Sequence, residues 1–111
     1  MSKDEEAVEN EIKSKGLTAP RLTPQHIDDQ IIWEYSGRAS DLFAGCPTHS
    51  SLSCLTITIL VLKNGYTVVG KSACASPENF NAELGTKISR QDAREQIWAL
   101  EGYALRNKLN V

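Results

Sequence analysis

Arg90 and Arg94 stand four residues apart, one turn along the same helical face, with Lys87 beside them and Phe80 opening the same segment. A guanidinium pairs with phosphate oxygens through parallel hydrogen bonds, and an aromatic ring offers a face on which a base stacks. This combination can grip a small phosphorylated ligand. On a solvated face the same residues would only pair locally, as Arg94 with Glu101 or Arg90 with Asp92.

Cys46, His49, Cys54 and Cys74 carry zinc-type ligand atoms, and Cys46-x-x-His49 has a usable spacing. The strand register expected below sends Cys54 and Cys74 to opposite faces, which argues against both a metal site and a disulfide between them. An odd number of cysteines without a CxxC fits free thiols in a reducing compartment. A nucleophile built from Cys74 and His49 would lack an elbow, an orienting residue and an oxyanion loop, and His26 reads as a surface residue. The sequence has no Walker loop, GxGxxG, HExxH or close carboxylate pair. Binding is therefore expected, not catalysis, with no cofactor and no metal.

The elements that must position these residues form one modest domain. The chain has 111 residues, 41% of them apolar, and a formal charge of −2. Lys and Arg are scattered, so no broad basic surface exists for duplex nucleic acid. The start is charged, and the longest apolar run, Ile57–Leu62, is too short to span a bilayer, so neither a signal peptide nor an anchor is expected.

Residues 1–22 read as an N-terminal arm and linker: 1–15, acidic with thin apolar points at Ala7, Val8 and Ile12, are a helical arm or a frayed terminus, and Gly16–Leu22 is the linker. Residues 23–111 read as a single α+β domain. Thr23-Pro24 begins a helix, and Ile27, Ile31 and Tyr35 at i, i+4, i+8 carry it to about Trp33. Gly37–Ser51 is a long connection, mobile or functional. In Leu52–Ala73 a β-branched run reaches Lys63-Asn64-Gly65-Tyr66, whose Asn-Gly pair predicts a two-residue type I′ hairpin. Pairing Lys63 with Tyr66 sets Val61 opposite Val68 and Ile59 opposite Gly70 on an apolar face, with Leu60/Val69 and Thr58/Lys71 on a mixed one.

Ser76-Pro77 caps a further helix, and Ser89-Arg90-Gln91-Asp92 has capping-box spacing, so one bent helix or two abutting helices follow. From Ala93 two stripes emerge: Ala93, Ile97, Leu100 and Ala104, and beside them Trp98, Gly102, Leu105 and Leu109. One hairpin covers one stripe, so the second needs another partner, and homo-oligomerisation is expected. Gly102 either admits a close backbone or is incidental.

The stretch Leu60–Cys74, then Ser76-Pro77-Glu78-Asn79-Phe80 and Leu84-Gly85, together with Ile97-Trp98-Ala99-Leu100-Glu101-Gly102-Tyr103-Ala104-Leu105-Arg106, resembles a family of small tailed-phage and prophage proteins. That family is similar to the Thoeris anti-defence sponges, which sequester cyclic ADP-ribose-type signals and, in some members, cyclic oligonucleotides. The resemblance implies a cytoplasmic protein of the infected bacterial host. It would bind a cyclic nucleotide without degrading it, and would assemble as a dimer or as a hexamer built from dimers. On its motif positions Phe80 would supply the stack, while Arg106, with Arg90 or Arg94, would hold phosphate. The alternative is a phage accessory that binds a host protein through the mixed hairpin face or the Gly37–Ser51 connection.

Overall fold

The computed structural model describes residues 3–17, 19–43 and 45–110. Helices α1 (Lys3–Ser14) and α2 (Pro24–Asp29) precede strand β1 (Ile31–Arg38), a single turn α3 (Ala39–Leu42), strands β2 (Leu55–Leu62) and β3 (Thr67–Ala73), and a 28-residue helix α4 (Ala82–Leu109). The strands form one antiparallel sheet in the order β1-β2-β3, and α4 packs on one face of it. The fold is thus α+β with a helical N-terminal arm.

Helix α2 starts as Thr23-Pro24 predicts: the Thr23 hydroxyl accepts from the His26 amide at 3.1 Å, and Ile27 is fully buried. It stops at Asp29, not at Trp33. Residues 31–38 are a strand because Ile31, Ile32, Trp33 and Tyr35 are β-branched or aromatic and a partner strand lies alongside. The four-residue spacing of Ile27, Ile31 and Tyr35 imitates a helical period across what is a helix–strand junction.

The hairpin is present, with a different turn. The Leu62 amide donates to Tyr66 O at 2.9 Å and the Gly65 amide to Leu62 O at 2.8 Å, closing a three-residue loop. Gly65 alone in it has a positive φ, +86°, whereas a type I′ turn needs two. Asn64 instead accepts from the Tyr66 amide through its side chain, at 3.0 Å. The extra loop residue shifts the pairing by one, to Val61–Thr67, Leu60–Val68, Ile59–Val69 and Thr58–Gly70. Every cross-strand partner changes accordingly.

The helix therefore covers the face that reads as mixed. Thr56, Thr58, Leu60, Leu62, Val68 and Gly70 are buried there, and Ile27, Ala93 and Ile97 complete the core. Hydroxyls in this core satisfy one another: Ser36 Oγ and Thr58 Oγ1 are 2.6 Å apart, Thr58 Oγ1 and Ser89 Oγ are 2.6 Å apart, and Ser89 Oγ donates to Thr86 O at 3.2 Å. Small residues allow close approach, since a Cβ on Gly70 would lie 2.0 Å from Ser89 O and one on Gly85 2.4 Å from Thr56 Oγ1. The opposite face carries Trp33, Tyr35, Ile57, Ile59, Val61 and Val69; Leu42 of α3 packs on its Gly37 end, where a Cβ would lie 2.8 Å from it, while Trp33, Tyr35 and Val69 stay more than half exposed.

Helix α4 runs unbroken through Ser89–Asp92. Its cap is Asn81, whose side chain accepts from the Leu84 amide at 2.9 Å, while Pro77–Asn79 form only a 3₁₀ turn. Asp92 does not cap a helix; its carboxylate accepts from the Lys71 amide at 2.9 Å. Part of the second stripe of α4 meets its own chain: Trp98 packs on the core, and Leu22 lies 3.8 Å from where a Gly102 Cβ would be, while Leu109 stays 54% exposed. Among the described residues, Gly102 faces no backbone of another element.

Candidate functional site

The four sequence-predicted ligand residues are distributed along the whole of α4 and its approach. Phe80 lies half-buried just before the N-cap, and Arg106 lies exposed in the last turn, about 36 Å away at 1.5 Å per residue. No single site on one chain contains both.

Arg90 and Arg94 are engaged by carboxylates from distant elements. Arg90 makes a two-armed contact with Glu34 of β1, at 2.8 and 3.3 Å. That carboxylate raises the Arg90 pKa above its ordinary value, against the opposing effect of burial. Arg94 is buried, with Asp28 Oδ1 at 3.0 Å, Pro24 O at 3.4 Å and the Glu5 carboxylate as a second ionic partner. It fastens α1 and α2 to α4 and does not face solvent. Neither pairing is local, because the partners come from strand and helices that the sheet topology brings alongside.

The cation nearest Phe80 is Arg38, which the sequence reading passed over. Its guanidinium carbon sits 3.8 Å from the Phe80 ring centroid, a cation–π contact. Its Nε donates to Ser53 O at 2.6 Å, and among the described residues no carboxylate lies within ion-pairing distance of it. Arg38 follows Glu34 and Ser36 on the helix-facing side of β1. Reading residues 31–38 as a strand would have exposed that alternation.

Two small cavities adjoin Phe80. One, of about 210 Å³, is lined by residues including Ser36, Arg38, Asp41, Phe80 and Thr86. The other, of about 160 Å³, includes Cys54, Cys74, Phe80 and Asn81. Each is below the roughly 300–1,000 Å³ of a complete small-molecule site, and each has room for a fragment the size of a base or a phosphate. The first turn of α4 lies beside them, adding the positive end of a long helix. A much larger groove of about 870 Å³ separates α1 from α4. Asp4, Glu5, Glu9, Asp92 and Glu95 surround it against Lys87, so its field repels phosphate.

The corrected register also changes the cysteines. Cys54 and Cys74 are neighbours across the hairpin, with the Cys74 amide donating to Cys54 O at 3.0 Å and its thiol 3.6 Å from the same oxygen. Burial, then the adjacent Cys74 thiol, raises the Cys54 pKa. The two-residue hairpin register would instead point their sulfurs apart. All three cysteines are free, and among the described residues no group of three His, Cys, Asp or Glu side chains is placed to hold a metal.

No helix among the described residues is long and apolar enough to cross a membrane. No curated protein and no solved structure matches the chain. A family model does match, over residues 22–109. That span runs from the linker before α2 to the end of α4 and takes in Arg38, Phe80 and the whole sheet. The chain belongs to the phage protein (N4 Gp49/phage Sf6 gene 66) family.

Proposed function

We propose that this phage protein binds and sequesters a cyclic nucleotide signal of the host's defence, a cyclic ADP-ribose isomer or a cyclic oligonucleotide, without degrading it. The observation that carries the reading is Arg38 over Phe80: a guanidinium without a carboxylate partner among the described residues, stacked on an aromatic ring beside a helix N-terminus. A base would lie against this cation–aromatic pair, and a phosphate would take the free arms of Arg38. Arg90, one turn beyond Thr86, would join only by exchanging Glu34 for phosphate. Arg106 belongs to the far end of the helix and would serve a ligand bound at Phe80 only from another chain.

The test is to mix the full-length protein with each nucleotide, remove the unbound fraction, heat-denature the protein and identify what returns. Intact nucleotide is expected from the wild type. Arg38→Gln should retain it roughly 10–100-fold more weakly, the worth of a charge-assisted hydrogen bond. Altered nucleotide would mean an enzyme, and no retention would end the reading. The α1–α4 groove favours a second reading, binding of a host protein. Its apolar floor of Val8, Ile12, Leu22, Ile88 and Trp98, rimmed by acids, suits a basic amphipathic helix. In that case Arg38→Gln changes nothing, and added salt weakens the complex.

A further inference from the structure

Strand β2 reads Leu55-Thr56-Ile57-Thr58-Ile59-Leu60-Val61-Leu62, apolar on both faces along its C-terminal half. Near-continuous apolar strands occur where both faces of a sheet are covered. Helix α4 covers the face of Thr58, Leu60 and Leu62. Ile57, Ile59 and Val61 point the other way. They are flanked by Trp33 and Tyr35 of β1 and Val69 of β3, which are 51%, 56% and 52% exposed. Trp33 and Tyr35 stack on each other, ring centroids 6.3 Å apart and planes 18° from parallel, forming a rigid aromatic ridge along one side of the strip.

We propose that a second copy of this chain covers that face, two sheets packing against each other to give a four-layer dimer with α4 on each outer side. The surface areas point to this occupant. The chain exposes 7709 Å² where a compact monomer of 12.2 kDa would expose roughly 6,100 Å². Its radius of gyration is 16.9 Å against about 13 Å for a compact chain of this length. The length of α4 and the α1 arm account for part of the excess; the bare sheet face is the part a partner can remove. Strands of eight, eight and seven residues present a footprint of roughly 360 Å², and two such faces with their side-chain relief lose on the order of 1,000–1,200 Å² on contact, enough for a specific dimer.

The chemistry of the face agrees. Lys71 is the one charged side chain on its strands, and Thr67 and Tyr35 the hydroxyls, so little selects a partner of complementary sign, whereas two largely apolar strips related by a two-fold axis satisfy each other. Growth by strand addition beyond β3 is obstructed, because Gln96 Nε2 donates to Val69 O at 2.6 Å and Asp92 accepts from the Lys71 amide. The stripe of α4 that suggests a partner in the sequence is met in part by Leu22 of the same chain. On the sheet, Trp33, Tyr35 and Val69 meet no such neighbour among the described residues and stay more than half exposed.

Sedimentation velocity of the full chain over a concentration series tests the proposal. The wild type should dimerise, while Trp33→Glu and Tyr35→Glu should raise the dimer dissociation constant roughly 30-fold or more, as expected for aromatic residues at the centre of an interface. Tyr103→Glu, an equally drastic change at a 73% exposed position of α4, should leave it unchanged. All three positions are open enough to accept a carboxylate, and far-UV circular dichroism checks that each variant is folded. A wild type that stays monomeric up to about 1 mM, the weak limit for specific association, would overturn the proposal and leave the face to a different protein. Dimers that survive Trp33→Glu and Tyr35→Glu would overturn it too, by placing the interface elsewhere. Neither variant alters Arg38 or Phe80, so nucleotide retention is a separate readout.

Discussion

Adding one methyl group at Gly70 should cost this protein a large part of its stability. Gly70 has no positive φ, so alanine suits its backbone, and at such positions Gly→Ala normally gains about 0.4–1 kcal/mol by restricting the unfolded chain. Here the new Cβ would stand 2.0 Å from Ser89 O, 2.5 Å from Ala93 N and 3.0 Å from Ala93 Cβ, and the first two are helix backbone that cannot rotate away. Relief requires α4 to lift from the sheet by about 1 Å, the shortfall from ordinary van der Waals separation. Lifting overpacks or loosens the layer at a cost of about 1–3 kcal/mol. It also stretches the buried Thr58–Ser89 hydroxyl contact, worth about 1 kcal/mol more. A net loss of about 3 kcal/mol, with a urea slope near 1.5 kcal/mol per molar, lowers the unfolding midpoint by about 2 M. Gly102→Ala is the control: its methyl would meet only Leu22, at an ordinary 3.8 Å, and should stabilise by up to about 1 kcal/mol through helix propensity. A Gly70→Ala midpoint within about 0.5 M of wild type would refute the close packing of α4 on β3.

Arg94→Ala should destabilise the fold by about 3–5 kcal/mol in urea melts, because it removes the buried guanidinium that pairs with Asp28 and Glu5 and ties α1 and α2 to α4. Arg21 hydrogen-bonds Glu9 and holds its carboxyl below the usual glutamate range. The anchorage this gives α1 is complete above the ordinary glutamate pKa and is lost as pH falls through the depressed one; amide exchange in residues 4–14 should accelerate in that acid window and not above it. Exposed Cys46 should alkylate before Cys54 at neutral pH, since burial and the Cys74 thiol both hold Cys54 protonated; mass spectrometry of a timed iodoacetamide reaction gives the order.

Much of the fold follows from local chemistry: Thr23-Pro24 starts α2, the β-branched run makes β2, and the apolar spacing beyond Ala93 makes α4. What the sequence concealed comes down to two junctions. At Gln30–Ile31 a helical spacing of apolar residues continues by coincidence into a strand, and only pairing with β2 reveals the change. At Lys63–Gly65 the Asn-Gly pair fits both a two-residue and a three-residue loop, and the difference is whether Asn64 takes a positive φ. No residue pattern within the loop decides that. Packing does, because the three-residue loop puts Gly70 beneath α4, while the two-residue loop would place Lys71 opposite Thr58 on the helix side.

The candidate site inherits both junctions. Arg38 was invisible as a site residue while residues 31–33 were read as helix, since its alternation with Glu34 and Ser36 exists only in a strand. Arg90 and Arg94 were legible as a cationic pair, but their partners were not: Glu34, Asp28 and Glu5 lie 56, 66 and 89 residues away in sequence, and only the sheet and the N-terminal arm bring them in. An arginine four residues from another on a helix is thus no measure of free charge. What counts is whether a carboxylate reaches it, and by that criterion the positive charge available beside Phe80 is on β1. The bulge between Ile31 and Trp33 sets this arrangement, because it brings Glu34, Ser36 and Arg38 under α4 while turning Trp33 and Tyr35 to the open face. Two extra residues at the same end of the sheet, one in β1 opposite Leu62 and one in the loop that follows Leu62, therefore determine which side chains can meet a small ligand and which can meet another chain.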